Sequence, residues 1–252
     1  MRFQGHVAVV TGGASGIGRA VTLSLAQEGC TVIIADIDGA AAERVLREVD
    51  GAGGKGEVSV VDVTDFEAVR GMMDAAARRH DRLDILVTSV TLPPKANWPG
   101  LMDASLEEIK RSFDVHTMGV AHCCKAAVPH MRKRGYGRIV NLGSLAAVLG
   151  GGMLGGTVYA AAKAGVLGLS RGLAREVAKD GITVNAVNPS LIETPRHAQL
   201  DDQPRARAVS RVPMGRAGTV DEVSAAVLFL ASREASFVTG TSMAVDGGTT
   251  MH

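Results

Sequence analysis

Thr11-Gly12-Gly13-Ala14-Ser15-Gly16-Ile17-Gly18 is the stretch that decides the fold. It follows a short apolar run, His6–Val10, and opens a helical pattern, Gly16–Glu28. In such a turn Gly12 allows a sharp reversal, Gly16 lets the backbone approach a pyrophosphate, and Gly18 lets the helix pack on the strand. Ser15 and Ile17 belong to the same turn and are counted with it as ligand-binding candidates. The helix N-terminus offers N–H groups and a positive dipole end to phosphates. Three glycines alone are a weak signal. Here a strand precedes them, a helix follows, and a second strand ends at an acidic residue, Asp36. A carboxylate at Asp36 can accept hydrogen bonds from both ribose hydroxyls of an adenosine, and it repels a 2′-phosphate. No Arg or Lys stands between Gly12 and Gly18. The pattern therefore predicts NAD(H) rather than NADP(H). The other reading of Asp36 is a turn residue at a strand end. Asp62 and Val63, after the third strand, could bond and cover an adenine, or simply approach the helix cap at Thr64–Asp65.

Working outward, β-branched runs alternate with amphipathic or Ala-rich stretches. The strands are predicted at His6–Val10, Thr31–Ala35, Glu57–Val61, Ile85–Thr88, Arg138–Leu142, Thr183–Val187 and Ser242–Val245. The helices are predicted at Gly16–Glu28, Ala40–Val49, Phe66–His80, Leu106–Arg132, Thr157–Ala178 and Val220–Ala231. Such alternation means βαβ units and a parallel sheet, and nearly all-apolar strands mean helices on both faces. The expectation is one α/β doubly wound domain over residues 1–252, with no linker or internal repeat. Gly51–Gly56 reads as a turn before the third strand. Two stretches lack periodicity, Val90–Ala104 and Ser190–Gly218. Both follow strands, on the side where ligands bind in open α/β sheets.

Composition removes other classes. Of the 252 residues 46% are apolar but only 3% aromatic, and the net charge is +1. There is no basic field for nucleic acid, no run long enough to span a bilayer, and no room for a signal peptide before the first strand. The three cysteines, two of them adjacent, have no metal-ligand spacing, so no metal is expected and a reduced cytoplasmic setting is. The 31 glycines have no collagen-like period and point to tight turns and close backbone approaches.

Of the two tyrosines, Tyr136 sits in Gly-Tyr-Gly and reads as a turn residue. Tyr159 sits in Tyr-Ala-Ala-Ala-Lys, with Lys163 one helical turn on. An ammonium there favours the tyrosinate and could lower a phenol pKa from about 10 toward neutrality. Such a Tyr can act as general acid or base at a carbonyl or alcohol. Alone, the pair could be an exposed helix pair. It does not stand alone. The glycine turn, Asp36, Asp62-Val63, Ser144 in Asn-Leu-Gly-Ser, Tyr159-x-x-x-Lys163, Asn185-Ala-Val-Asn188-Pro189 and Val245-Asp246-Gly247-Gly248 follow in order. With these motifs the chain resembles the short-chain dehydrogenase/reductase family over essentially its whole length.

The resemblance implies a seven-stranded Rossmann-type domain and the following roles. Tyr159 exchanges the proton. Lys163 binds the nicotinamide ribose and lowers the Tyr pKa. Ser144 holds the reacting oxygen. Thr194, in the segment from Pro189, meets the nicotinamide carboxamide, and Ile192 packs by the ring. A nicotinamide supplies the hydride while protein groups supply orientation and a proton. The implied reaction is hydride transfer between NAD(H) and a secondary alcohol or ketone. The alternative is an NAD-binding sensor or structural subunit without catalysis. The same Tyr/Lys pair could also serve a dehydratase or epimerase. The resemblance also implies a homotetramer, with the helices Thr157–Ala178 and Leu106–Arg132 at one interface. On the first of these, Ala161, Gly165, Gly168 and Gly172 could face the sheet or a partner.

Three departures from the family pattern stand out. Thr88-Ser89-Val90-Thr91 replaces Asn-Asn-Ala-Gly after the fourth strand. In Phe113-Asp114-Val115-His116 the family Asn is replaced, and His116 could join the proton relay or be a plain core histidine. Pro189-Ser190 replaces Pro-Gly. Substrate recognition is expected on a lid, residues 190–216, on Ala146–Thr157 and on the loop after the fourth strand. Leu92, Trp98 and Met153 are candidate walls, and Arg196 is the candidate for an anionic substrate group. The five lid arginines otherwise read as a solvated face.

Overall fold

The computed structural model describes residues 1–92, 100–151, 156–194 and 202–251. Seven parallel strands form one sheet in the order β3-β2-β1-β4-β5-β6-β7. They are β1 (Val7–Thr11), β2 (Thr31–Asp36), β3 (Lys55–Val60), β4 (Ile85–Thr88), β5 (Gly137–Leu142), β6 (Ile182–Pro189) and β7 (Ser242–Val245). The helices are α1 (Gly16–Gln27), α2 (Gly39–Gly51), α3 (Phe66–His80), α4 (Leu106–Phe113), α5 (Gly119–Arg134), α6 (Ala146–Leu149), α7 (Thr157–Val177), α8 (Asp202–Val209) and α9 (Val220–Ala231). The fold class is the predicted one, a doubly wound α/β sheet. Its strands alternate between two cores. Val7 and Val9 join the layer under α3, α5 and α7, while Ala8 and Val10 join the layer under α1, α2 and α9. A strand covered on both faces has no polar side, which is why β1 reads as an unbroken apolar run.

The strand order reverses between β1 and β4, so a crevice opens beyond their carboxyl ends. The turn into α1 lies there. A Cβ on Gly18 would stand 2.0 Å from the carbonyl oxygen of Gly12, and one on Gly12 would meet the Ser89 backbone at 2.8 Å. Gly12 also has φ +66°. The first turn of α1 therefore rests on β1, and β1 rests on the β4 exit, with only backbone between them.

Several boundaries differ from the expectation. β1 starts at Val7, because the His6 N–H turns back to the Phe3 carbonyl at 2.9 Å, while the His6 carbonyl accepts the first cross-strand bond, from Thr31, and its ring packs against Phe3 and Tyr136. β3 starts at Lys55, so Gly56 lies in the strand and the turn is confined to 52–54. β6 runs through Pro189. The single helix expected over Leu106–Arg132 is interrupted by a π-helical turn, Asp114–Met118, in which the Gly119 N–H bonds to the Asp114 carbonyl five residues back. Tight packing on both sides accompanies it: a Cβ on Gly119 would lie 2.6 Å from Val63, and Thr117 donates its hydroxyl to the Ala162 carbonyl at 2.7 Å. The stretch read as irregular, Ser190–Gly218, contains α8 and a bridge between Ile192 and Gly218. Gly168 and Gly172 do not face the sheet; a Cβ on either would meet nothing within 4 Å.

The opposite end of the sheet carries a polar clamp. Asp84 is fully buried and accepts from the Val7 N–H at 2.8 Å and from Arg82 at 2.6 and 2.9 Å, pinning the start of β1 to β4. Tyr136 is more than a turn residue here, since the Arg138 guanidinium lies over its ring. His6 is 6% exposed and its Nδ1 has no partner. Burial lowers its pKa from 6.5, and burial lowers that of His80 as well.

Two predictions follow from these packing facts. Lowered folded-state pKa values mean that the unfolded chain binds more protons, so this part of the stability is complete above about pH 6.5 and lost as pH falls below it. Thermal unfolding between pH 7.5 and 5.5 is expected to show this loss, and His6→Phe is expected to flatten it; an unchanged slope would refute the assignment to His6. Gly18→Ala is expected to cost about 1–3 kcal/mol in urea unfolding through overpacking. Gly51→Ala, at a helix position with open space around it, is expected to be neutral or stabilising.

Candidate active site

The glycine turn builds one side of the crevice. Ser15 is the N-cap of α1 in extended conformation, and it makes no side-chain capping bond. By contrast, α2, α3, α4 and α9 are capped by Asp38, Asp65, Ser105 and Thr219. The first N–H groups of α1 thus lack the side-chain acceptor that those four helices carry, as do those of α7, which starts at Gly156. Beside them Gly16 has φ +51°, and the space where its Cβ would lie is approached only by the Thr194 side chain, at 3.7 Å. An uncapped helix start next to an open backbone surface suits a phosphate.

Asp36, at the end of β2, accepts from the Ala14 N–H through Oδ2 and from the Asp38 N–H through Oδ1, both at 3.1 Å. It therefore braces the glycine turn and still offers each oxygen's second lone pair. Asp62 accepts from the Thr64 N–H and hydroxyl at 2.9 and 2.8 Å, and Asp65 caps α3. Asp62 also lines a cavity of about 380 Å³ together with Asp36, Val63 and Gly12. Glu107, Arg111, Asp114 and Val115 close that cavity from α4 and the π turn. The sequence pattern does not show this wall, since spacing along one helix does not reveal that it shares a cavity with Asp36 and Asp62.

A second cavity, of about 200 Å³, lies against the first. Ser15, Ser89, Val90 and Thr91 line both. Together the two fall in the roughly 300–1,000 Å³ range of ligand sites. The second cavity brings together Ser144, Tyr159 and Lys163 with Gly16, Ile17, Pro189, Ile192 and Thr194. These residues, from four separate parts of the chain, therefore meet on one surface.

Each is held by an identifiable contact. Ser144 leaves β5 and accepts the Ala146 N–H on its Oγ at 3.1 Å, which keeps its own proton for donation. Lys163 is 3% exposed, and its Nζ donates to the Leu142 carbonyl at 2.7 Å. Tyr159, one turn before it, lies edge-on to the His116 ring, with centroids 5.1 Å apart and planes at 86°. The β5 strand below is braced by Asn141, which donates to Ser170 at 3.0 Å and accepts from Thr88 at 2.8 Å. Thr88, one of the departures, is thus a buried strut. Ile192 is held by its bridge to Gly218, where a Cβ would press its Cδ1 at 2.8 Å.

His116 is fully buried in the π turn. Its Nδ1 lies 3.0 Å from the Ser112 carbonyl and 3.2 Å from the Ser112 hydroxyl, and its Nε2 lies 3.2 Å from the Thr91 hydroxyl and 3.3 Å from the Leu92 N–H. Leu92 lines the Asp36 cavity, not the one holding Tyr159. Trp98, Met153 and Arg196 lie outside the described residues. Arg216, at the end of the stretch expected to form a lid, is paired with Glu222 at 2.6 Å and holds that carboxyl down at about 2, so its charge is committed to the start of α9. The three cysteines are free and buried, and burial raises all three thiols. Among the described residues no cluster could hold a metal, and no helix is long and apolar enough to cross a membrane.

Comparison with known proteins follows the same geometry. The family described as "Enoyl-(Acyl carrier protein) reductase" matches residues 12–250. The chain is 40% identical to the 3-oxoacyl-[acyl-carrier-protein] reductase FabG of Thermotoga maritima over 98% of its length and 99% of the relative. It is 41% identical to the cis-4-hydroxycyclohexanecarboxylate dehydrogenase of Sinomonas cyclohexanicum, over 98% of each chain. It is 36% identical to the 2-dehydro-3-deoxy-L-rhamnonate dehydrogenase (NAD(+)) of a Sphingomonas species, over 99% of this chain and 97% of the relative. The crystal structure of gox2181 superposes with a TM-score of 0.94 at 34% identity, over 98% of this chain and 96% of that one. The chain belongs to the short-chain dehydrogenase/reductase family, oxidoreductases that act on hydroxyl and keto groups with a nicotinamide cofactor.

Proposed function

We propose that the protein is an NAD(H)-dependent dehydrogenase/reductase that interconverts a secondary alcohol and a ketone. The observation that carries this reading is the single cavity in which Ser144, Tyr159 and Lys163 face the glycine turn and the Pro189–Thr194 segment. The residues fit the cofactor. The uncapped start of α1 suits its pyrophosphate, Asp36 its adenosine ribose, Val63 and Asp62 its adenine, and Ile192 and Thr194 its nicotinamide. When bound, the nicotinamide exchanges the hydride. The chain supplies the rest. Ser144 donates a hydrogen bond to the reacting oxygen and orients it. Tyr159 takes the alcohol proton in oxidation and returns it in reduction. Lys163 places a buried positive charge one turn from Tyr159, which favours the phenolate and stabilises negative charge on the reacting oxygen.

The preference for NAD(H) over its 2′-phosphorylated counterpart rests on charge. The rim of the Asp36 cavity carries the carboxylates of Asp36, Asp62, Glu107 and Asp114 against one guanidinium, that of Arg111. A relative whose name includes NAD(+) shares 36% of its sequence with this chain. The outward-facing Gly168 and Gly172 of α7 support close packing against a second copy, in line with a homotetramer. The substrate is a small alcohol or ketone held under residues 190–216, and the setting is cytoplasmic.

Two measurements test the reading. Turnover followed by the near-ultraviolet absorbance of reduced nicotinamide, over a panel of secondary alcohols and ketones, is expected to fall by about 10² or more in Tyr159→Phe. Equal turnover in the two proteins would remove Tyr159 from the chemistry. In fluorescence titrations NADH is expected to bind at least about tenfold more tightly than NADPH, a gap of about 1.4 kcal/mol. Asp36→Ala is expected to close that gap, and tighter NADPH binding by the unaltered protein would overturn the cofactor assignment.

A further inference from the structure

We infer that His116 is a positioning residue, not a proton carrier. As one fixed neutral tautomer it latches the β4 exit, Thr91–Leu92, to the π turn and to the ring of Tyr159, and so holds the wall shared by the two cavities. The tautomer follows from the partners. The Ser112 carbonyl, 3.0 Å from Nδ1, can only accept, so Nδ1 carries the proton. The Leu92 N–H, 3.3 Å from Nε2, can only donate, so Nε2 presents its lone pair, and the Thr91 hydroxyl at 3.2 Å can donate to the same atom. A carbonyl on one side and an N–H on the other polarise the ring in one direction. Passing a proton through the ring would set an N–H against the Leu92 N–H or strip the donor from the Ser112 carbonyl. The imidazole is fully buried, so water cannot relieve either conflict.

The place of this latch gives it consequence. Thr91 lines both cavities and Leu92 lines the one around Asp36. The other end of the ring meets Tyr159 edge-on. The π turn that carries His116 is keyed to α7 a second time, by the Thr117 hydroxyl on the Ala162 carbonyl. One side chain thus ties the partition between the cofactor's two halves to the helix bearing Tyr159 and Lys163. The two departures from the family pattern, Thr91 where Gly is usual and His116 where Asn is usual, are therefore one feature: the side chain added at 91 ends on the side chain added at 116.

The inference rests on the cofactor reading for its effect on affinity, and it has a readout that needs no cofactor. Hydrogen exchange of the amides at 89–92 is expected to quicken by about tenfold or more in His116→Ala and His116→Asn, since a buried hydrogen bond is lost. His116→Gln is expected to restore most of the protection, because its side-chain oxygen reaches the place of Nε2 whereas Asn stops at the Ser112 end. In NADH titrations the same order is expected, with Ala and Asn about tenfold weaker and Gln close to the unaltered protein. Thr91→Val, which keeps the shape and removes the hydroxyl, gives an independent variant should His116→Ala fail to fold. It is expected to quicken the same amides, and its effects are not expected to add to those of His116→Ala. Unchanged exchange in His116→Ala, or His116→Gln as impaired as Ala, would overturn the latch. Failure of the unaltered protein to bind NADH would instead count against the cofactor reading, with the exchange data still deciding the latch.

Discussion

The contact of Gly18 with the carbonyl of Gly12 is the constraint on which the rest depends. A side chain at position 18 would occupy space already filled by backbone. Because that space is free, the first turn of α1 lies directly on the end of β1, with its N–H groups facing the crevice at the switch in strand order. Gly12 in turn lies against the Ser89 backbone, so β4 leaves the sheet at a fixed height above the turn. The floor of both cavities is thus set by two backbone-to-backbone approaches. Side chains are then arranged around this floor: Asp36 braces the turn from β2, and Lys163 and Ser144 approach from the far side of β4.

Much of this was legible in the residues because the signals are local. The glycine turn, the acidic end of β2, the one-turn spacing of Tyr159 and Lys163, and the period-free stretches after strands are each readable within a few positions. Seven strands and their parallel arrangement followed from apolar runs too uniform to have a wet face. What could not be read depends on contacts between distant segments. The π turn at Asp114–Met118 interrupts a sequence with good helical pattern, and its register is set by Val63 and Ala162, fifty residues or so away on either side. The wall formed by Glu107 and Arg111 depends on how α4 packs against α7 and faces the cavity at Asp36. The extra strand residues Lys55 and Gly56 lack the apolar character of a strand, and they join because β2 offers a partner ladder at Thr31 and Val32.

The position of His116 shows how a departure from a family pattern can be read physically. As a single substitution it suggests a change in proton chemistry, because histidine titrates near neutrality. Beside Thr91 and Leu92 it is a spacer with fixed polarity. The neighbouring polar residues follow the same economy: Thr88 reaches Asn141, and Asn141 reaches Ser170. Under the cavity, buried polar groups brace one another from strand to helix, and Lys163, Tyr159 and Ser144 stand on a frame whose hydrogen bonds are largely satisfied inside the protein.

The bridge between Ile192 and Gly218 bears on how such a protein can change its substrate. It ties the two ends of the intervening segment to each other. Residues within the segment can then be replaced, inserted or deleted without pulling on Ile192, since doubling a closed loop costs only about 0.6 kcal/mol in entropy. Ile192 and the intervening segment are in this sense mechanically decoupled. Relatives named as a 3-oxoacyl-[acyl-carrier-protein] reductase, a cis-4-hydroxycyclohexanecarboxylate dehydrogenase and a 2-dehydro-3-deoxy-L-rhamnonate dehydrogenase (NAD(+)) share more than a third of their residues with this chain. A segment joined at its two ends can vary while the frame it leaves and rejoins stays as it is.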